Sequence, residues 1–351
     1  MRFALSIDHR DWARGGAAEA TLQLAQRADE AGLDALWITE DPDGWDAFGL
    51  LGAISQRTSK IQLGTGVTNP YLRHPDLIAS SVATLDRLAP GRVFLGLGRG
   101  QPEWYEKSLG IEVGSPLGRL EETISLLRQW WAPEAIASSD GEIHIDAWKR
   151  VISPLSPPPI YLAAAGPKAL DLAGRAADGV LFNMLATPVY LRKAIARVRA
   201  SAEAAGRNPD DLQFIANPGI VVTDDPSPLL AGRKRFVANV LTLPGMEVLL
   251  ENPELDVAGI MRRVRAYMKT DELLARGGAF ADFSEHGDIA AAVSEIPDAL
   301  VEAGSAVGQI STIRERIREF AELGLTELMV ARSGLPGNAD EIGELLDKLR
   351  A

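Results

Sequence analysis

Eight short apolar runs along 351 residues, amphipathic segments between most of them, and glycine, proline or acidic turn residues at the run ends predict a closed parallel (β/α)8 barrel, the TIM-barrel fold. Parallel strands need a long crossover, usually a helix, to bring the chain back to the same end of the sheet. Eight such units fit closure better than an open doubly wound sheet. The whole chain, 1–351, is expected to form one domain with a helical insertion at about 225–304, before the last strand.

The elements follow in order. Residues 3–7 (FALSI) form the first strand, followed by a helix at 17–32 with Gly32 as its C-terminal cap. The second strand is 34–38, with a helix near 46–57. The third is 61–67, and Pro75 opens its helix, since proline suits a first turn. The fourth is 92–97, with its helix delayed to 116–131. Residues 132–159 interrupt the rhythm with Pro, Gly and Ser and are expected to make a hairpin around Gly141. Strand five spans 160–164 (helix 168–177), strand six 179–182 (helix 188–205), and strand seven starts at 212 and runs to Val222. No strand is evident in 225–304. Residues 327–330 supply the eighth strand and 338–350 the closing helix.

The formal charge of −12 (36 basic, 48 acidic side chains) disfavours nucleic acid and anionic membrane surfaces as partners. Arg262, Arg263 and Arg265 are the densest basic group and fit a solvated helix face. With no cysteine, disulfides, thiolate nucleophiles and Cys-ligated metals are excluded. Neither a signal-peptide pattern nor a transmembrane-length apolar run is present, so a cytoplasmic protein is expected. His9, His74, His144 and His286 lack metal-ligand spacing, and no metal is expected.

Barrel chemistry belongs at the C-terminal strand ends. Those ends offer Asp8 and His9; Glu40, Asp41 and Trp45; Gly66, Val67 and Asn69; Gly98, Gly100 and Gln101; Ala164, Ala165 and Gly166; and Asn183. Adjacent acids such as Glu40 and Asp41 could cap the next helix, or one could serve as a proton donor. Gly98 and Gly100 let backbone approach a planar ligand. Their loop is not a dinucleotide fingerprint, because it lies late in the chain and opens no helix of a first βαβ unit. Ala164, Ala165 and Gly166 lead into a helix N-terminus, a natural anion site.

IQLGTGVTNP at 61–70, RHP at 73–75, ATLDRLAPGRVFLGLGRGQ at 83–101 and YLAAAGPKALDLAGRAADGVLFN at 161–183 together resemble the luciferase-like monooxygenase superfamily, especially its coenzyme F420 branch. That branch includes methylenetetrahydromethanopterin reductase and the deazaflavin glucose-6-phosphate dehydrogenase. The resemblance implies a non-prolyl cis peptide at Gly66–Val67 against the cofactor ring, Asn69 bonding the cofactor, and Ala164, Ala165 and Gly166 holding its phosphate. It also implies a homodimer acting on a small molecule.

Where the sugar-phosphate dehydrogenases place Asp-His and then Trp, this chain has Glu40-Asp41 and then Trp45; where they place a glutamate, it has Gln101. The expectation is therefore an F420-dependent reductase, with Asp8, Glu40, Asp41, Trp45 and Gln101 as the candidate catalytic set. The alternatives are an FMN-dependent monooxygenase of the same superfamily and a non-catalytic flavin-binding barrel.

Overall fold

The structure is a computed structural model and describes residues 1–8, 17–42, 44–239, 243, 245–276 and 287–351. His9 and His286 lie outside them. The strands are β1 (Arg2–Ile7), β2 (Ala35–Ile38), β3 (Gln62–Thr65), β4 (Val93–Leu97), β5 (Ile136–Asp140), β6 (His144–Lys149), β7 (Ile160–Ala163), β8 (Gly179–Phe182), β9 (Gln213–Val222), β10 (Val307–Gly308) and β11 (Glu327–Val330). Helices follow: α1 (Ala17–Glu30), α2 (Ala47–Ser55), α3 (Pro75–Leu88), α4 (Pro102–Leu109), α5 (Pro116–Trp131), α6 (Pro167–Ala176) and α7 (Pro188–Ala204). The remainder are α8 (Ser227–Asn239), α9 (Val257–Tyr267), α10 (Thr270–Arg276), α11 (Ile289–Ser294), α12 (Asp298–Ala303), α13 (Ile310–Glu322) and α14 (Ala339–Arg350).

Eight parallel strands close on themselves in the order β1-β2-β3-β4-β7-β8-β9-β11, with β11 back on β1. The register runs straight across, as in Leu5 to Leu36 and Leu36 to Leu63. Strands covered on both faces read as continuous apolar runs, which is why VFLGL and ALWI show no alternation and are buried throughout. One set of side chains fills the barrel: Ala4, Ala35, Trp37, Phe94, Tyr161, Leu181, Ile215 and Met329. Trp37 and Phe94 lie 4.2 Å apart between ring centroids. The outward set, including Phe3, Leu5, Leu36 and Leu63, packs under the helices. Each large buried side chain contributes about 1.5–3 kcal/mol, so the two layers hold the strand ends rigidly in place.

The expected hairpin exists: β5 and β6 are antiparallel around Gly141. Two segments depart from the sequence reading. Residues 102–109, ahead of the helix expected at 116–131, form α4, because Pro102 opens the helix and Gly110 closes it in the left-handed conformation (φ 66°). Beyond the insertion, β10 pairs in parallel with the far end of β9, and α13 precedes β11. The two-residue β10 is too short to leave a hydrophobic period. Between 225 and 304 the described residues contain helices and no strand, so a helical stretch lies between β9 and β10.

Candidate active site

The C-terminal strand ends surround a cavity of about 400 Å³, within the size range of small-molecule and cofactor sites. Its lining includes Asp8 after β1, Glu40 and Asp41 after β2, and Gly66, Val67 and Asn69 after β3. Gly98, Gly100 and Gln101 after β4, Ala164, Ala165 and Gly166 after β7, and Asn183 after β8 complete the sequence-derived set around it.

Trp45 does not line the cavity. It packs half-buried against the hydrophobic core. The local reason is Asp46, whose carboxylate accepts from the Gly49 amide at 2.6 Å and so caps α2. That leaves Trp45 one residue before the cap, where apolar side chains fold back on the first turn.

One wall is backbone. The Gly66–Val67 peptide is cis. Thr68 donates its amide to Gly96 O (3.0 Å), and Gly98 donates to Thr68 O (2.9 Å), which zips this segment to β4. A Cβ on Gly98 would stand 2.7 Å from Val67 Cγ2, so glycine lets the segments after β3 and β4 lie this close. Gly100 has φ +62°, and a side chain on it would strike the Tyr105 hydroxyl. Asn69 is buried; its Oδ1 accepts from the Tyr71 and Leu72 amides (3.1 and 3.0 Å), and its Nδ2 donates to Tyr105 Oη at 3.3 Å. The amide thus has a fixed orientation and presents nitrogen, a donor. Burial, helped by the nearby Asp41 and Glu40 charges, pushes the Tyr105 hydroxyl up to about 12, so it stays protonated at neutral pH.

At the other end, α6 starts at Pro167 behind Gly166, with no side chain capping it. Gly166 and Ala169 both face the cavity. The first amides of the helix therefore point at this end with the positive pole of its dipole. Tyr190 donates its hydroxyl to Ala165 O at 2.8 Å and fixes the turn from outside.

Among the acids, Glu40 is the buried one: it accepts from Thr68 Oγ1, from the Ala47 amide and from Arg73. The capping role weighed for this pair thus falls to Glu40, through Ala47. Arg73 stays firmly charged: burial disfavours its cation, but bonds to Glu40 and Asp46 outweigh that. Among the described residues no group of three or more His or acidic side chains could hold a metal.

The sequence reading missed several lining residues. Asn217 interrupts an apolar run midway along β9, a signal that could have found it. Met184, Met246, Met329 and Phe236 also line the cavity. Phe236 and Met246 come from the insertion, where nothing in the sequence separates cavity from core.

Fold and site define a barrel with a ligand cavity at its strand ends, of the kind that carries a planar cofactor. The profile of the Luciferase-like monooxygenase family matches residues 1–327, and the chain belongs to that family. It is 30% identical over 325 residues to a 5,10-methylenetetrahydromethanopterin reductase of Methanolobus tindarius, covering 92% of this chain and 93% of that one. It is 37% identical to an F420-dependent hydroxymycolic acid dehydrogenase of Mycobacterium tuberculosis over 63% of this chain and 64% of that one. The solved coenzyme F420-dependent tetrahydromethanopterin reductase of Methanopyrus kandleri superposes with a TM-score of 0.79, covering 99% of this chain and 98% of that one at 24% identity, which speaks for the fold.

Proposed function

We propose that this chain is an F420-dependent oxidoreductase that exchanges a hydride between the deazaflavin and a small organic substrate, acting as a reductase rather than a sugar-phosphate dehydrogenase. The observation that carries it is one cavity joining a backbone wall at Gly66, Val67 and Gly98 to the uncapped N-terminus of α6. A flat ring needs the first, a phosphate the second, and F420 has both. The residues present therefore fit the group, and the names of the relatives support this choice over FMN.

In this reading Gly66 and Val67 would back the ring, Gly98 and Gly100 would let it lie close, and Asn69 would donate to its polar edge. Ala164, Ala165 and Gly166 would hold the phosphate, with Asn183 beside them. Bound F420 supplies the hydride chemistry; the protein supplies orientation and keeps water out. Asp8, Asp41 and Gln101 would face the substrate, and Asp41 would hold the proton the reduction consumes. Gln101 cannot take up a proton, so the carboxylate that the sugar-phosphate dehydrogenases place there is missing, which disfavours their reaction. A cytoplasmic homodimer belongs to the same reading; exposed Trp148, Val151, Ile152 and Leu155 beside the hairpin support self-association, and light scattering tests it.

Side-by-side titration of the apoprotein with F420 and FMN is the test. Tight binding of F420, followed by oxidation of reduced F420 by compounds with activated C=N, C=C or C=O bonds, is expected. Binding of FMN alone, with NAD(P)H-dependent oxygen uptake, would replace this reading with a monooxygenase.

A further inference from the structure

We infer that Glu40 is a positioning residue and not the proton donor of the site: clamped by Arg73, it pins Thr68 and so fixes the backbone at Val67 and Asn69 that walls the cavity. The consequence for cofactor affinity rests on the F420 reading above; the clamp itself does not.

Glu40 has no oxygen left for a substrate. Its Oε1 accepts from Arg73 Nε at 3.0 Å, Arg73 Nη2 at 2.8 Å and the Ala47 amide at 3.2 Å. Its Oε2 accepts from Arg73 Nε at 3.0 Å and from Thr68 Oγ1 at 2.5 Å. The side chains of Glu40 and Arg73 are only 6% and 12% exposed, so water competes weakly for either. A carboxylate held this way by charge-assisted bonds from four donors keeps its place, which suits a brace and not a proton shuttle.

Arg73, the first residue of the RHP motif, ties two loops together. It also pairs with Asp46 at the α2 cap and lies over the Phe48 ring at 5.1 Å. Its own position follows from the turn that Asn69 makes through the Tyr71 and Leu72 amides. The loop after β3 therefore grips the loop after β2 through an ion pair. Thr68 is the point of delivery: Glu40 holds its side chain, while Gly96 and Gly98 hold its backbone. With Thr68 fixed, Val67 on one side and Asn69 on the other have little freedom to move. Asp8 and Asp41, which also line the cavity, are then the acids with chemistry to do, and Asp41 is the one beside Glu40 on the same loop.

The test compares Glu40→Gln, Arg73→Lys, Thr68→Val and Asp41→Asn with wild type. Amide hydrogen exchange of the apoprotein is read at Thr68 and Gly98, F420 affinity by titration, and kcat against pH for the holoenzyme. In E40Q the amide N–H2 takes the place of one carboxylate oxygen, and because Arg73 Nε reaches both oxygens it meets the guanidinium, donor against donor, in either orientation. Exchange at both amides should then rise about tenfold or more, and F420 Kd by a similar factor, since small misplacements carry large costs. The limbs of the pH profile should stay. T68V, which removes one bond with little change of shape, should move exchange and Kd in the same direction, and keeps the test open if E40Q folds poorly. D41N should lose a limb of the profile with F420 affinity retained. E40Q that keeps wild-type exchange and Kd but loses a pH limb would make Glu40 the acid and overturn the inference. If wild type binds no F420, the exchange arm still decides the clamp, and only the cofactor reading fails.

Discussion

Trp37 and Glu327, 290 positions apart, meet at the closed end of the barrel, where the indole Nε1 donates to the Glu327 carboxylate at 2.8 Å. Arg2 stands on the other carboxylate oxygen at 3.2 Å, and its guanidinium also reaches Gln62. The first residues of β1, β3 and β11 are thus tied under the aromatic filling of the barrel, at the end opposite the cavity. None of these four side chains lines the cavity, so their effect on stability can be tested without changing its lining.

Burial pushes the Glu327 carboxyl above its ordinary 4.5, although Arg2 and the Trp37 bond act the other way. An acid raised on folding binds its proton more tightly in the native state. Its contribution is full below the unfolded value and is lost as pH rises through the folded one. Glu327→Gln keeps an oxygen for Trp37 and removes the buried charge, and Arg2 is exposed enough to be hydrated. At pH 8 the variant should match or exceed wild type in unfolding free energy, by on the order of 1 kcal/mol, and its stability should be flatter with pH above the ordinary carboxylate value of 4.5. A loss of several degrees at pH 8 would show that the ion pair outweighs its desolvation.

Asp29 behaves in the opposite sense. Burial alone would raise its carboxyl, but amides of Ser59, Lys60 and Ile61 and the Ser59 hydroxyl donate to it and hold it below 3.8. Its stabilisation is present above that value and lost as pH falls through the folded one. Asp29→Ala frees three amides in the turn leading into β3 and should cost about 2–3 kcal/mol at pH 7. The difference from wild type should shrink in acid, measured by denaturant unfolding from pH 7 to pH 3.

Much of this was legible in the sequence because fully buried parallel strands announce themselves: ALWI and VFLGL have no polar face to confuse the period. The site followed from the same strands, since chemistry gathers at their C-terminal ends. What escaped was set by tertiary partners. The role of Glu40 depends on Arg73, 33 positions away, and no local pattern separates a clamped carboxylate from a reactive one. Pro102 and Gly110 signal a loop or the two ends of a helix equally well, and only packing chose the helix.

Two glycines at the cavity separate steric from ligand requirements. Gly98 has Val67 against it, so Gly98→Ala must displace the wall and should weaken both stability and F420 binding. Gly166 has φ −79° and open space where a Cβ would go. Gly166→Ala should therefore leave stability within about 0.5 kcal/mol of wild type. If the phosphate of F420 seats on the α6 amides, the added methyl stands in its path and Kd should rise about tenfold. An unchanged Kd in Gly166→Ala would move the phosphate elsewhere.

The insertion contributes to the cavity through Phe236 on α8 and Met246, alongside Met184 and Met329. Thioethers are flexible and polarisable, and with one aromatic ring they make a wall that adapts to an apolar body. Polar lining groups such as Asp8, Asp41, Arg99 and Gln101 follow other strands, so the part of the substrate that meets this wall should be apolar and the reacting bond should lie toward the polar side. Phe236→Ala and Met246→Ala enlarge this wall without touching the residues assigned to F420. Each should raise KM for a substrate that fills the pocket by about tenfold, consistent with the 1–3 kcal/mol that one hydrophobic contact contributes. F420 Kd should stay within twofold, and bulkier acceptors should gain relative to smaller ones. Steady-state kinetics over a size series of acceptors reads this directly. Loss of F420 affinity in place of a shift in acceptor preference would mean that the insertion covers the cofactor and not the substrate.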